Sequence, residues 1–210
     1  MTLSINDLNL DRNSPYLIAA MTDMLLTSPL TSIRNGLHPS KFKQIISESF
    51  KMKRLLFNTG AYPLPLYLSV CLNDTIEESI NHTPLPTQYV SNLLLSSVLG
   101  VPSDLLSKRS FFKASPSTVR VQLAYLSSVT RDGTQLLSYT QDPNQTLIQR
   151  ALVGGVLGVI TAPFDVISNN CVSNANFFSL HRLPTVAAAR FSLGIVSCTV
   201  FNVMFDRLNR

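Results

Sequence analysis

Charge is what this sequence has least of. Asp, Glu, Lys and Arg make up 14% of the 210 residues, against roughly 25% in an average soluble domain. Hydrophobic residues are 45% and the mean hydropathy is +0.20, which excludes a disordered chain, since disorder needs low hydrophobicity and high charge. Heptads and glycine triplets are missing, so coiled-coil and collagenous chains are excluded as well. Cysteine is scarce: Cys71, Cys171 and Cys198 lie far apart with no C-x-x-C spacing, which excludes a disulfide framework and leaves three small apolar side chains. His38, His82 and His181 lie near prolines or in polar stretches, and no metal site is expected. Gly-x-Ser-x-Gly, Gly-Lys-Ser/Thr and Gly-x-Gly-x-x-Gly are all lacking, so neither an enzyme nor a cofactor is expected. Met1 to Asn13 has no basic segment followed by an apolar one, and it is not Arg-rich and acid-poor. Neither a secretory signal nor a transit peptide is expected there, and any organelle address would be internal.

What is present is a basic, apolar chain. Lys and Arg outnumber Asp and Glu by 17 to 12, for a net charge of +5. The cations are thinly spread, and the densest stretch is Lys51-Met52-Lys53-Arg54. That argues against nucleic acid as a partner. Cations at a membrane surface and a cavity that takes an anion suit the same excess.

Uncharged runs punctuate the sequence and give six helical candidates. Leu55 to Asn73 and Ser79 to Ser103 are long enough to read as spanning helices. Ala151 to Phe164 and Thr185 to Phe205 are apolar, the latter holding Arg190. Ser14 to Ser28 holds Asp23, and Ser117 to Tyr139 holds Arg120, Arg131 and Asp132. Such charges are tolerated in a membrane bundle when they face its interior. Pro29, Pro63, Pro65, Pro102 and Pro163 fall within or at the ends of these runs. In a soluble helix interior each proline costs about 3 kcal/mol, whereas membrane bundles re-satisfy the freed carbonyls. Gly154-x-x-x-Gly158 lets two helix backbones approach closely. The reading is an all-α membrane protein, with a very apolar soluble helical domain as the competing class.

An internal repeat organises the candidates. Leu26-Thr-Ser-Pro29-Leu-Thr31-Ser-Ile-Arg34, Leu99-Gly-Val-Pro102-Ser-Asp104-Leu-Leu-Ser107 and Ile160-Thr-Ala-Pro163-Phe-Asp165-Val-Ile-Ser168 align around their prolines. Each ends an odd-numbered candidate and is followed by an even-numbered one. The single domain, 1–210, thus divides into three helix pairs at about 14–78, 79–145 and 146–210. Three pairs can close a ring around a central cavity, and a proline kink swings the end of each odd helix toward the axis.

With this triple motif the chain resembles the mitochondrial carrier family, whose signature is Pro-x-(Asp/Glu)-x-x-(Lys/Arg) at the end of each odd transmembrane helix. The resemblance implies six transmembrane helices as three tandem pairs. It implies transport of a small anionic metabolite or nucleotide across the mitochondrial inner membrane by alternating access, by a monomer without cofactor. Pro29, Arg34, Pro102, Asp104, Pro163 and Asp165 would form the gate. Arg120, Arg131 and Arg190, on even candidates, would contact the substrate as paired donors to carboxylate or phosphate. Arg120 and Arg190 could instead snorkel to a water interface at a helix end.

The chain departs from the family pattern in its shorter repeats and in three motif positions. Thr31 stands at an acidic position, and Ser107 and Ser168 stand at basic ones, with Lys108 and Arg109 late by one and two residues. Carried over by position, Arg34 would pair with Asp165, Asp104 would face Ser168, and Thr31 would face Ser107. So thin a gate motivates an alternative: a carrier-like scaffold or insertase of a mitochondrial membrane, the outer one included, that does not transport.

Overall fold

A computed structural model describes residues 13–80, 85–136, 146–176 and 178–208. The segment up to residue 12, His82 and Tyr139 lie outside them. Among the described residues the regular structure is helical throughout, and each candidate run holds one or more helices. Helix α1 is Ser14–Arg34, α2 is Phe42–Ser49, α3 is Met52–Ala61 and α4 is Pro63–Ile80. Then follow α5, Leu85–Leu95, a π-helical turn, Ser96–Gly100, and α6, Val101–Phe112. Helix α7 is Thr118–Leu136, α8 is Leu147–Val172 and α9 is Leu183–Leu208. Four helical stretches are long and apolar enough to cross a membrane: Met52–Thr75, Tyr89–Phe112, Leu147–Val172 and Leu183–Leu208.

The prolines act differently at each site. Pro29 and Pro163 sit inside α1 and α8, which continue past them to Arg34 and Val172. Two residues before each stands a threonine whose hydroxyl donates to the carbonyl four residues back, Thr27 to Asp23 and Thr161 to Leu157. Such back-bonding bends a helix where a proline already weakens it. Pro63 separates α3 from α4, because the residue before a proline is pushed out of helical geometry, and Tyr62 sits at φ −138° and ψ −66°. Pro102 follows the π-helical turn directly and lies in the first turn of α6, where a missing N–H costs little.

Sharp ends fix the lengths. After α1, Gly36 takes φ +112°, and Leu37 N–H donates back to the Ser32 carbonyl at 3.2 Å while Gly36 N–H reaches Ile33 at 2.8 Å. This is the left-handed glycine stop of a Schellman motif. At the start of α8, the Thr146 hydroxyl and the Gln149 side chain cap each other's backbone N–H groups.

The long helices make six rods: α1, α3 with α4, α5 with α6, α7, α8 and α9. Each packs on the next, and α9 packs on α1. Helix α2 lies against α1, with Ser49 meeting Ser28 and Ser32. It is tied to α3 by Glu48, which accepts from Lys51 at 2.5 Å and from the buried Arg54 at 3.1 Å. The Lys51 hydrogen bond, with Arg54 behind it, holds the Glu48 carboxyl below its ordinary value. Arg54 in turn lies 4.7 Å from the centre of the Phe111 ring.

Burial is inverted relative to a protein in water. Leu26, Leu56, Leu94, Val98, Leu126, Val156 and Ile160 are exposed, while Asp23, Asp104, Lys108, Ser128, Asp165 and Ser168 are buried. An apolar rim around a polar interior is what hydrocarbon selects.

Candidate functional site

The buried charges converge at the level of the three proline motifs. Asp104, in the first turn of α6, has Pro102 two residues before it and Lys108 one helical turn after it. The Asp104 carboxylate accepts from Arg34 Nη2 at 2.7 Å, from Lys108 Nζ at 3.0 Å and from Arg131 Nη1 at 2.9 Å. Asp165, two residues past Pro163 on α8, accepts from Arg131 Nη1 at 2.9 Å, from Lys108 Nζ at 3.4 Å and from Arg190 Nε. Arg131 also bonds Asp132 at 2.6 Å through Nε, and Ser96 donates to the other Asp132 oxygen at 2.8 Å. Four cations and three carboxylates from α1, α6, α7, α8 and α9 thus form one network, with a surplus of one positive charge.

Hydroxyls and amides complete it. Lys108 Nζ donates to Ser168 Oγ at 3.0 Å, and Ser168 shares a bond with Ser128 at 3.1 Å. Asn169 Nδ2 donates to the Arg34 carbonyl at 2.9 Å, joining the end of α1 to α8. Ser107 donates to Asn58 of α3 at 3.0 Å, which ties in the remaining rod. Lys108 and Asp165 are fully buried, and Asp104, Arg131 and Arg190 are at most 5% exposed. Taking so many charges out of water is costly, and close pairing offsets much of that cost.

Close packing holds Arg190 in place. Helices α8 and α9 meet at Gly154, Gly155, Gly158 and Gly194, so the Gly154-x-x-x-Gly158 spacing does let two backbones approach. A Cβ added at Gly158 would stand 2.6 Å from the Arg190 carbonyl oxygen. The glycine therefore sets the distance at which Arg190 reaches Asp165, seven residues further along α8.

The structure corrects the pairing carried over from the motif positions. Arg34 bonds Asp104 rather than Asp165, whose oxygens are taken by Arg131, Lys108 and Arg190. Asp104 meets three cations rather than Ser168. Ser107 faces Asn58 rather than Thr31. Lys108, one residue late in the motif, takes the basic place because i+4 shares a helix face with i as well as i+3 does. The single ion pair expected from the motif positions is instead a dense network.

The three arginines assigned to a substrate separate. Arg131 and Arg190 belong to the network. Arg120 stands apart: it donates to the carbonyls of Ala175 at 2.7 Å and Asn170 at 3.4 Å, where it caps the end of α8. Lys108 and Asp132 are the members that position-by-position reading leaves out, although the i,i+4 spacing of Lys108 from Asp104 marks it. Among the described residues no group of His, Cys, Asp or Glu could hold a metal ion. Comparisons with protein-family models, with curated proteins and with solved structures gave no match to this chain.

Proposed function

We propose that this chain is a carrier of a small anionic metabolite or nucleotide, working by alternating access in the mitochondrial inner membrane. Its six rods would all span the bilayer as three tandem pairs around a central path. The observation that carries this reading is the buried ion network at the level of the three prolines, which ties α1, α6, α7, α8 and α9 together. A network of that kind closes one end of a ring and opens only when its pairs part.

The surplus positive charge supplies a mechanism. An incoming carboxylate or phosphate competes with Asp104 and Asp165 for Arg131 and Arg190, as a bidentate anion does for a guanidinium. Each pair exchanged loosens one rod from another, so occupation by the solute and opening of the proline end are linked. The opposite end of the even rods closes in turn. The polar interior and apolar rim support placement in a bilayer, and the triple motif supports the mitochondrial address. The alternative, a carrier-like scaffold or insertase that does not transport, rests on the departures from the motif at Thr31, Ser107 and Ser168.

Reconstitution of the full chain in liposomes tests the reading. Exchange of at least one labelled anion from a panel of carboxylates, phosphates and nucleotides is expected, and it should fall sharply in Asp165→Asn. No uptake or exchange of any panel member overturns it.

A further inference from the structure

Asp23 is a third buried carboxylate, and it stands outside the network. It lies on α1, six residues before Pro29, which is about 9 Å of helix, and it is fully buried. Neither of its oxygens has a hydrogen bond of normal geometry. The hydroxyls of Ser197 on α9 and of Tyr62, where α3 meets α4, are close enough to act on it.

Its surroundings hold no cation paired to it. Helix α2 meets α1 through the uncharged Ser49 at Ser28 and Ser32, more than a turn past Asp23. Helix α3 meets α1 through Thr59, which donates to the Met24 sulfur. The Tyr62 hydroxyl faces Asp23 from the head of α4, and the acid further along, Asp74, bonds Asn13 ten residues before Asp23. From α9, next to Ser197, the Cys198 thiol lies within the fields of both Asp23 and Arg150 of α8. The titratable and charged groups around the carboxylate are therefore Tyr62, Cys198 and, behind the thiol, Arg150.

An ionised carboxylate so enclosed is costly, and an ionisable group inside a membrane bundle marks a transport path. One carboxylate and two hydroxyls offer too few oxygens for Ca2+ or Mg2+, which take six or more, and no nitrogen or thiolate for Zn2+. A proton needs one. Once protonated, the carboxyl both donates and accepts, which suits a pair of hydroxyls that can do either.

We infer that Asp23 is a proton-binding site on the solute path, so that an anion crosses together with a proton. The carboxylate takes up one proton from one side to become a carboxylic acid, and it releases that proton to the other side. No other bond changes. This rests on the transport reading above, and it adds that the driving force is a pH gradient.

The test uses the full chain in liposomes with two arms. The first is exchange of a labelled anion at equal pH on both sides. The second is net uptake of the same anion from an acidic exterior into an alkaline interior, with proton entry followed by an internal pH dye. The wild type should show both activities. Asp23→Asn should keep exchange and lose gradient-driven uptake to the level of empty liposomes, and Asp23→Glu should retain it. Asp23→Asn that accumulates anion along the gradient as the wild type does overturns the proposal. Wild type without exchange overturns the transport reading instead, and a spectroscopic arm then decides the proton site alone. In detergent, an infrared difference spectrum between acid and alkaline pH should show a carboxylic-acid C=O band that shifts in D2O and vanishes in Asp23→Asn. Absence of an Asp23-dependent band overturns the proposal.

Discussion

Arg34 and Asp104, 70 positions apart in the chain, meet at 2.7 Å. The pair binds the end of α1 to the start of α6. Its arginine is the most exposed cation of the network, with 11% of its side chain exposed, whereas Asp165 is fully buried. Depth should therefore rank the losses. Removing one partner of a dry pair costs about 3–5 kcal/mol. Asp165→Asn should reach that range because it strips a partner from Lys108, Arg131 and Arg190 together. Arg34→Gln should cost clearly less, since the Asp104 it leaves keeps Lys108 and Arg131. Thermal unfolding in detergent gives the order, and an Arg34→Gln protein less stable than Asp165→Asn would refute it.

The place of the cation on α6 can be moved. Lys108→Ser with Ser107→Lys restores the motif spacing of the carrier signature. Lys108 faces Asp104 and Asp165, while position 107 faces Asn58. The double substitution should therefore destabilise the protein as much as Lys108→Ser alone. Full recovery of the melting temperature would mean that the cation can serve from either position.

Gly158→Ala brings a Cβ to 2.6 Å from the Arg190 carbonyl, a backbone atom that moves only with α9. Overpacking of this kind costs about 1–3 kcal/mol, and it should also draw Arg190 away from Asp165. Gly133→Ala is the control. There the nearest atom is the Tyr89 hydroxyl at 3.4 Å, and losing a helical glycine gains about 0.5–1 kcal/mol. Chemical denaturation of the two variants should give opposite signs.

Arg120→Gln removes two bonds to the end of α8. Hydrogen bonds from a charged donor are worth about 1.5–3 kcal/mol, so stability should fall by that order. If the chain transports, the concentration of solute for half-maximal exchange should stay as in the wild type. A large rise in that concentration at unchanged stability would return Arg120 to the solute path.

Sequence pattern and structure agree on the helices and diverge on who pairs with whom. The run from Ala151 to Phe164 marks α8, but that helix reaches Val172, because Ser168, Asn169 and Asn170 look like a loop and are buried instead against Lys108, Arg34 and Ser179. The prolines marked the level of the site. Asp104, Asp165 and Arg34 were legible from the motif, yet their pairing was not. A linear motif gives the face of one helix but not the rotation of the next, and that rotation brings Arg131 and Arg190 of the even rods into the same cluster. The π-helical turn at Ser96–Gly100, which resets the face of α6 relative to α5, leaves no pattern in the hydrophobic residues.

The seam between α9 and α1 also has a bearing on synthesis. Translation delivers α1 before α9, so the α1 face that carries Tyr16 and Asp23 has no Phe201 or Ser197 to meet until α9 is made. Asp165 likewise waits for Arg190. A chain stopped before Leu183 would lack the Arg190 partner of Asp165, which would keep Lys108 and Arg131. The contacts of α9 with Asp23 and Asp165 are therefore added to a network whose other pairs, between α1, α6, α7 and α8, need no part of it.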